Sequence, residues 1–359
     1  MQLNFSTILL RMTNAVIGLI LLSACLATPT PIPTPTLVPS LTPEPPVDAF
    51  PMNQRLARTV SIGNALEAPH EGDWGVTLEA GYFQLIRQKG FTAVRLPVRW
   101  SGHAQTEAPY TINPEFFKRV DWAVEQALAN DLAIVIDMHH YEEMALDAAG
   151  QHGQFLALWR QIAEHYQHQP NAVLFELMNE PNGALTASSW NRLIADVLPI
   201  IRITNPMRNI IIGPAEWNGS QALDELILPP DDRHLIVTFH FYNPFQFTHQ
   251  GAEWLPGTDT WLGTEWRGSS AEKQVLQFDF NVVEQWAIEN QRPIFLGEFG
   301  AYGKAQLESR VRWMAFIARE AEARTFSWSY WEFCSGFGVY DPVAKQWNED
   351  LMQALIPNP

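Results

Sequence analysis

Residues 133–181 read AIVIDMHHYEEMALDAAGQHGQFLALWRQIAEHYQHQPNAVLFELMNEP. An apolar run at 133–138 leads into an amphipathic stretch, QFLALWRQIAEHYQ, and then a second apolar run at 173–177. Short runs that are almost continuously apolar suit parallel strands covered on both faces, and the stretch between them has helical periodicity. This is one strand–helix–strand unit. Outward from it the same alternation recurs, with further candidate strands at 59–64, 92–98, 209–212, 235–239, 294–296 and 325–330. Helical patterns separate them: FFKRVDWAVEQALAN behind the cap Asn113-Pro114, SSWNRLIADVLPIIR, VLQFDFNVVEQWAIEN and LESRVRWMAFIAREAEAR. Eight strands alternating with helices in one uninterrupted stretch predict a (β/α)8 barrel of the TIM type, a single domain over 51–359. An open doubly wound sheet is the alternative. No glycine-rich phosphate loop follows the first strand, which weakens its nucleotide-binding versions.

Composition narrows the class. The chain has 359 residues, 47% of them hydrophobic, with 23 Lys and Arg against 39 Asp and Glu, a formal charge of −16. Such acidity argues against a protein that tracks phosphates along nucleic acid. Two cysteines cannot build a disulfide framework or a four-thiolate metal site. The 14 Trp serve core packing, but flat apolar rings also suit the faces of sugars.

The first fifty residues read differently. Residues 12–24, MTNAVIGLILLSA, follow Arg11 and are too short for a bilayer span. They read as the apolar part of a signal peptide, 1–24, ending in Leu22-Ser23-Ala24-Cys25, which resembles a bacterial lipoprotein box. Cys25 is then expected to carry lipid, with an ordinary cleaved signal as the alternative. Residues 25–50 are expected to form an extended Pro/Thr-rich spacer. Cys334 would be left as a free, buried thiol.

Barrel enzymes carry their chemistry at the C-terminal ends of the strands. In this chain those ends supply Gly63-Asn64 and Glu67, Arg95 and Arg99-Trp100, Asp137 to Tyr141, Asn179-Glu180, Glu216-Trp217, His240 to Tyr242, Glu298, and Trp331-Glu332. A single polar residue after a strand is ordinarily a turn residue, but a whole ring of them is not. Arg95 lies inside an apolar strand, so it should face the barrel mouth and pair with a carboxylate. Asp137 either orients a neighbouring histidine or caps a turn. Glu180 and Glu298 form the kind of carboxylate pair that glycoside hydrolysis uses, one protonating the leaving oxygen and one attacking carbon or activating water. Adjacent residues in a strand point to opposite faces, so His139 and His140 should not share a metal ion.

These motifs resemble glycoside hydrolase family five. Leu177-Met178-Asn179-Glu180-Pro181 resembles the family's Asn-Glu-Pro signature. The segments 62–67, 94–97, 139–141, 240–245, 297–300 and 331–333 follow in the family's order. The likeness is to its thermophilic bacterial endoglucanases with a Phe-Thr-His-Gln-Gly-Ala-Glu-Trp loop, here 247–254. The resemblance implies a retaining endo-β-1,4-glucanase, with β-mannanase or a dual enzyme as the near alternative. Glu180 would be the acid/base and Glu298 the nucleophile, oriented by Arg95 and Tyr242. Asn179 would bind the sugar 2-hydroxyl, His139, His140 and His240 would line the cleft, and Trp331 would be the sugar platform. Asn64, Glu67, Trp217, His249 and Trp254 would contact further sugar units. No cofactor or metal is expected, and the partners are a polysaccharide and, through Cys25, a membrane. A monomer, exported to the cell surface or beyond, completes the expectation. A different class, a non-catalytic surface barrel that only binds carbohydrate, would have one of the two glutamates missing or displaced.

Overall fold

A computed structural model describes residues 44–357. The signal peptide, Cys25 and most of the expected spacer lie outside the described residues. Eight parallel strands form a closed barrel in chain order: β1 (Arg58–Ser61), β2 (Ala93–Val98), β3 (Ala133–Met138), β4 (Val173–Glu176), β5 (Ile210–Ile212), β6 (Leu235–His240), β7 (Ile294–Phe299) and β8 (Ser327–Tyr330), with β8 pairing back onto β1. Helices between the strands cover the outside. Asn113 caps the helix Pro114–Ala129 by accepting from the Glu115 N–H, with Pro114 at the first helical position. Ser269 and Glu272 close a capping box on the helix Ser270–Asn290, which starts five residues before the expected pattern. The connection from β5 to β6 carries no full-length helix, only short turns such as Ser220–Glu225, and Pro229-Pro230 ends that stretch.

Inward-pointing residues recur every second position, and their character changes along the barrel axis. One layer of the lumen is apolar: Val135, Leu174, Ile211, Ile236 and Phe295, all fully buried. The next layer toward the C-terminal ends of the strands is polar: Ser61, Arg95, Asp137, Glu176, Thr238 and Ser329, equally buried. The helix Ala49–Leu56 plugs the other end with Met52 and Leu56 against the apolar layer. Its Asn53 donates to the Ile294 carbonyl at 2.9 Å and accepts from Ser327 Oγ at 2.5 Å.

The expected spacer, 25–50, overlaps the folded unit. Residues 44–50 belong to the folded unit. Asn171 donates to Glu44 Oε2 (3.1 Å) and to the Pro45 carbonyl (2.9 Å), and Asn209 donates to the Val47 carbonyl (2.7 Å). These ties outweigh the extended preference of a proline-rich segment. Cys334 is free and buried, as expected.

The same face holds a cation with no acidic partner in hydrogen-bond reach among the described residues. Arg208, nearly buried, donates to the carbonyls of Pro170 (2.6 Å), Val173 (2.8 Å), Gln169 (2.9 Å) and Tyr166 (3.0 Å). Arg208→Ala should remove a donor from each of these carbonyls, leaving Tyr166 and Pro170 only their backbone partners, the Gln169 and Val173 N–H groups, and lower stability by roughly 3 kcal/mol or more. Urea unfolding checks this; a loss below about 1 kcal/mol would show that the guanidinium is not what holds this corner.

Candidate active site

Arg95 organises the site. Its side chain is fully buried and its donors fan out to three strands. Nε and Nη2 donate to the two oxygens of Glu176 at 2.7 and 2.9 Å, and Nη1 donates to Glu298 Oε1 at 2.6 Å. Nη2 also donates to Asn179 Oδ1 and lies 2.9 Å from Asp137 Oδ2. Burial works against the cation, but the carboxylates of Asp137, Glu176 and Glu298 outweigh it and hold the guanidinium charged. Burial in turn raises Glu176 and pushes Asp137 up to about 7, with Arg95 opposing in both.

Glu180 and Glu298 meet across the mouth. One carboxylate oxygen of each, together with a ring nitrogen of His240, all lie within 4.8 Å of one another. Their surroundings differ. Glu298 is buried, and both its oxygens accept hydrogen bonds, Oε1 from Arg95 and Oε2 from the Tyr242 hydroxyl at 2.8 Å. Burial raises its pKa, while His240, Arg95 and the Tyr242 hydrogen bond pull it back. Glu180 is more open, with 27% of its side chain exposed. Burial raises its pKa to about 7 and Arg95 alone opposes. Its Oε1 lies in hydrogen-bond contact with His240 Nδ1 at 2.8 Å. Burial lowers His240 to about 4, so the ring is neutral at neutral pH. A cation would fit this donor set poorly, because both Glu298 oxygens already have donors and Arg95 stands 2.6 Å away.

The remaining predicted residues sort by exposure. His139 is buried and donates from Nδ1 to Asp137 Oδ2, so Asp137 orients a histidine rather than capping a turn. Strand alternation does not separate His139 from His140, because β3 ends at Met138 and His140 turns with φ 49°; the two rings lie 4.7 Å apart. His139 stacks on Trp331 with an interplanar angle of 6° and 5.6 Å between centroids. Trp331 passes over Gly63, where a Cβ would come within 2.7 Å of its ring, so only glycine fits there. Asn64 is half-buried at the rim, whereas Glu67 is fully buried and accepts from the backbone N–H groups of Asn64 and Ala65. Burial pushes Glu67 up to about 8. In this structure Glu67 supports the Asn64 turn from beneath and has no exposed surface of its own. Trp217 and Trp254 are exposed at the rim, and His249 is buried beneath, stacked on Phe245.

Three contributors were not read from the sequence. Glu176 was taken as part of an apolar strand, although an acidic residue inside a buried strand signals a partner for Arg95. Trp74 sets its ring edge-on to His140 at 5.2 Å and is partly exposed. Asn218 donates to His240 Nε2 at 3.3 Å.

Comparison with known proteins agrees with this geometry. The profile of the family described as Cellulase (glycosyl hydrolase family 5) matches residues 56–336. Endoglucanase H of Acetivibrio thermocellus is 34% identical over 324 residues, which cover 89% of this chain but 34% of that protein, so the chain spans about a third of that relative. Structures of Thermotoga maritima Cel5A with cellobiose and with mannotriose superpose with a TM-score of 0.85 at 51% identity, covering 86% of this chain and 100% of theirs. With a family profile that spans most of its length over a closed eight-stranded barrel, the chain belongs to glycosyl hydrolase family 5, the cellulase family.

Proposed function

We propose that the chain is a retaining endo-β-1,4-glucanase in which Glu298 is the nucleophile and Glu180 the acid/base. The observation that carries this reading is the separation of their carboxylate oxygens, within 4.8 Å. That gap suits direct covalent attack, for which carboxyl groups stand about 5–5.5 Å apart, and leaves no room for the water an inverting enzyme places between them. The unequal environments support the division of labour. Glu298 has two donors that favour its anion, while Glu180 is held protonated near neutral pH and opens to the cleft. In the first step Glu298 attacks C1, and the Glu180 proton passes to the glycosidic oxygen as the C1–O bond breaks. In the second, Glu180 takes a proton from water, which attacks C1 and releases Glu298.

The other residues follow by position. Arg95 and Tyr242 hold the nucleophile, Asn179 offers its amide to the sugar 2-hydroxyl, and Trp331, His139 and His140 wall the cleft. Trp217 and Trp254 are placed to contact sugars at its rim, with His249 beneath them. Asn64 would do so directly and Glu67 through the Asn64 turn. A glucan is the first substrate to test. Mannan or glucomannan is the second reading, supported by the mannotriose bound to the Thermotoga maritima relative. We also propose that the enzyme is exported, acts as a monomer and is tethered by lipid at Cys25.

Measurements on the wild-type protein and on two variants test these readings. Wild-type protein should release reducing ends from carboxymethyl cellulose and lichenan, and a 2-fluoro cellobiosyl fluoride should add a glycosyl mass to the peptide containing Glu298. No hydrolysis of either glucan, or label on another residue, would refute the assignment. Glu298→Gln should lower kcat by roughly 10^4-fold or more with the fold retained. For a glucan, kcat/KM should fall as pH rises through about 7, because deprotonated Glu180 cannot protonate the leaving oxygen. A rate that stays flat to pH 9 would place the acid elsewhere. Intact-mass analysis of protein from membranes should find a diacylglyceryl group on Cys25, and Cys25→Ser should release the enzyme or block processing.

A further inference from the structure

The segment after β5 contains three successive non-glycine residues in the left-handed region: Glu216, Trp217 and Asn218, with φ of 57°, 57° and 56°. A left-handed residue with a side chain costs roughly 1–2 kcal/mol, so a run of three is retained only where the surroundings enforce it. Its outcome is that Trp217 projects into solvent and Asn218 is driven under the site, fully buried. There its Nδ2 lies 3.3 Å from His240 Nε2, and the opposite ring nitrogen, Nδ1, lies 2.8 Å from Glu180 Oε1 and 3.7 Å from Glu298 Oε2.

We infer that Asn218 is a positioning residue that fixes the tautomer of His240 and so directs the acid proton of Glu180 to the oxygen facing the cleft. The inference rests on the glycosidase reading given above. The Asn218 amide turns its NH2 toward Nε2, so Nε2 accepts and a neutral ring carries its hydrogen on Nδ1. Nε2 is then a bare lone pair and needs a donor, and the Asn218 amide is the donor within reach. With Nδ1–H donated to Oε1, Glu180 keeps its proton on Oε2, which has no hydrogen-bond partner among the described residues. That proton passes to the glycosidic oxygen while the electron pair of the breaking C1–O bond stays on that oxygen and the Glu298 carboxylate supplies the pair to C1. If the amide presented its oxygen, the hydrogen would move to Nε2. Nδ1 would become an acceptor and draw the Glu180 proton onto Oε1, away from the substrate. Gly213 makes room for the amide. A Cβ there would lie 2.2 Å from Asn218 Oδ1 and 2.9 Å from Thr238 Cγ2.

Leaving-group dependence separates this role from a merely structural one. Asn218→Asp presents only acceptors to Nε2. It should lower kcat/KM about 100-fold on cellotetraose, whose leaving sugar needs a proton, with KM nearly unchanged. On 2,4-dinitrophenyl cellobioside, whose leaving group departs unprotonated, the loss should stay within about threefold. Gly213→Ala, which crowds the amide, should give the same split. Equal losses on both substrates, or none on either, would overturn the inference. The wild-type protein offers a test that no misfolded variant can spoil. Long-range 1H–15N correlations of the histidine rings, with His240 assigned by its absence in His240→Gln, should show Nδ1 protonated and Nε2 bare. An Nε2–H tautomer would overturn the inference. A wild-type protein that cleaves neither substrate would instead refute the glycosidase reading.

Discussion

A guanidinium with no access to water, facing three carboxylates, is the constraint around which this barrel is arranged. Arg95 is held by Asp137, Glu176 and Glu298, each from a different strand and all buried. One cation cannot neutralise three anions in a medium of low dielectric, and an unpaired buried charge costs several kcal/mol. The layer answers by retaining protons, which is why burial raises Asp137 and Glu176. The anion is kept where donors are densest. Glu298 has Arg95 on one oxygen and Tyr242 on the other, whereas Glu180 has only the neutral His240. The unequal settings of Glu180 and Glu298 are therefore a consequence of how few positive charges the lumen contains.

The dryness of that layer is made from below. Val135, Leu174, Ile211, Ile236 and Phe295 fill the lumen beneath it, and the helix Ala49–Leu56 closes the end with Met52 and Leu56. The floor beneath the carboxylates is apolar and packed, so they interact with one another and with Arg95 more strongly than they would in water. The same closure gives the molecule two distinct faces. The described chain enters at the plugged end, fastened through Asn171 and Asn209, and the carboxylates open at the other. Stability and catalysis are separated along the barrel axis, as is general for this architecture.

What could be read from the sequence was what has a period or a charge in the wrong place. All eight strands were legible because parallel strands are apolar on both faces, and their bounds shift by at most three residues. Arg95 was legible because a cation in an apolar strand demands a partner. Glu176 satisfies that demand but was hidden by its neighbours Phe175 and Leu177, which made the run look continuous. Glu67 was legible as polar but not as buried, since its burial depends on backbone N–H groups that have no sequence signature. The missing helix between β5 and β6 and the folded residues 44–50 depend on tertiary contacts, which override local preference. Asn218 was invisible because its importance lies in its backbone.

That last case reflects a general geometric demand of the fold. Parallel strands leave the barrel in the same direction, and side chains at their ends would splay outward unless the chain turned sharply at once. Here four of the eight strands are followed by non-glycine residues with positive φ: Asn64 after β1, His140 after β3, Glu180 after β4, and Glu216 to Asn218 after β5. Each costs backbone energy that a glycine would avoid, but glycine has no side chain to present. The cleft therefore stores strain in the residues that must be both turn and tool. The surrounding core has to be well packed to hold them, which is the reason a barrel of this size can keep two carboxylates at reacting distance.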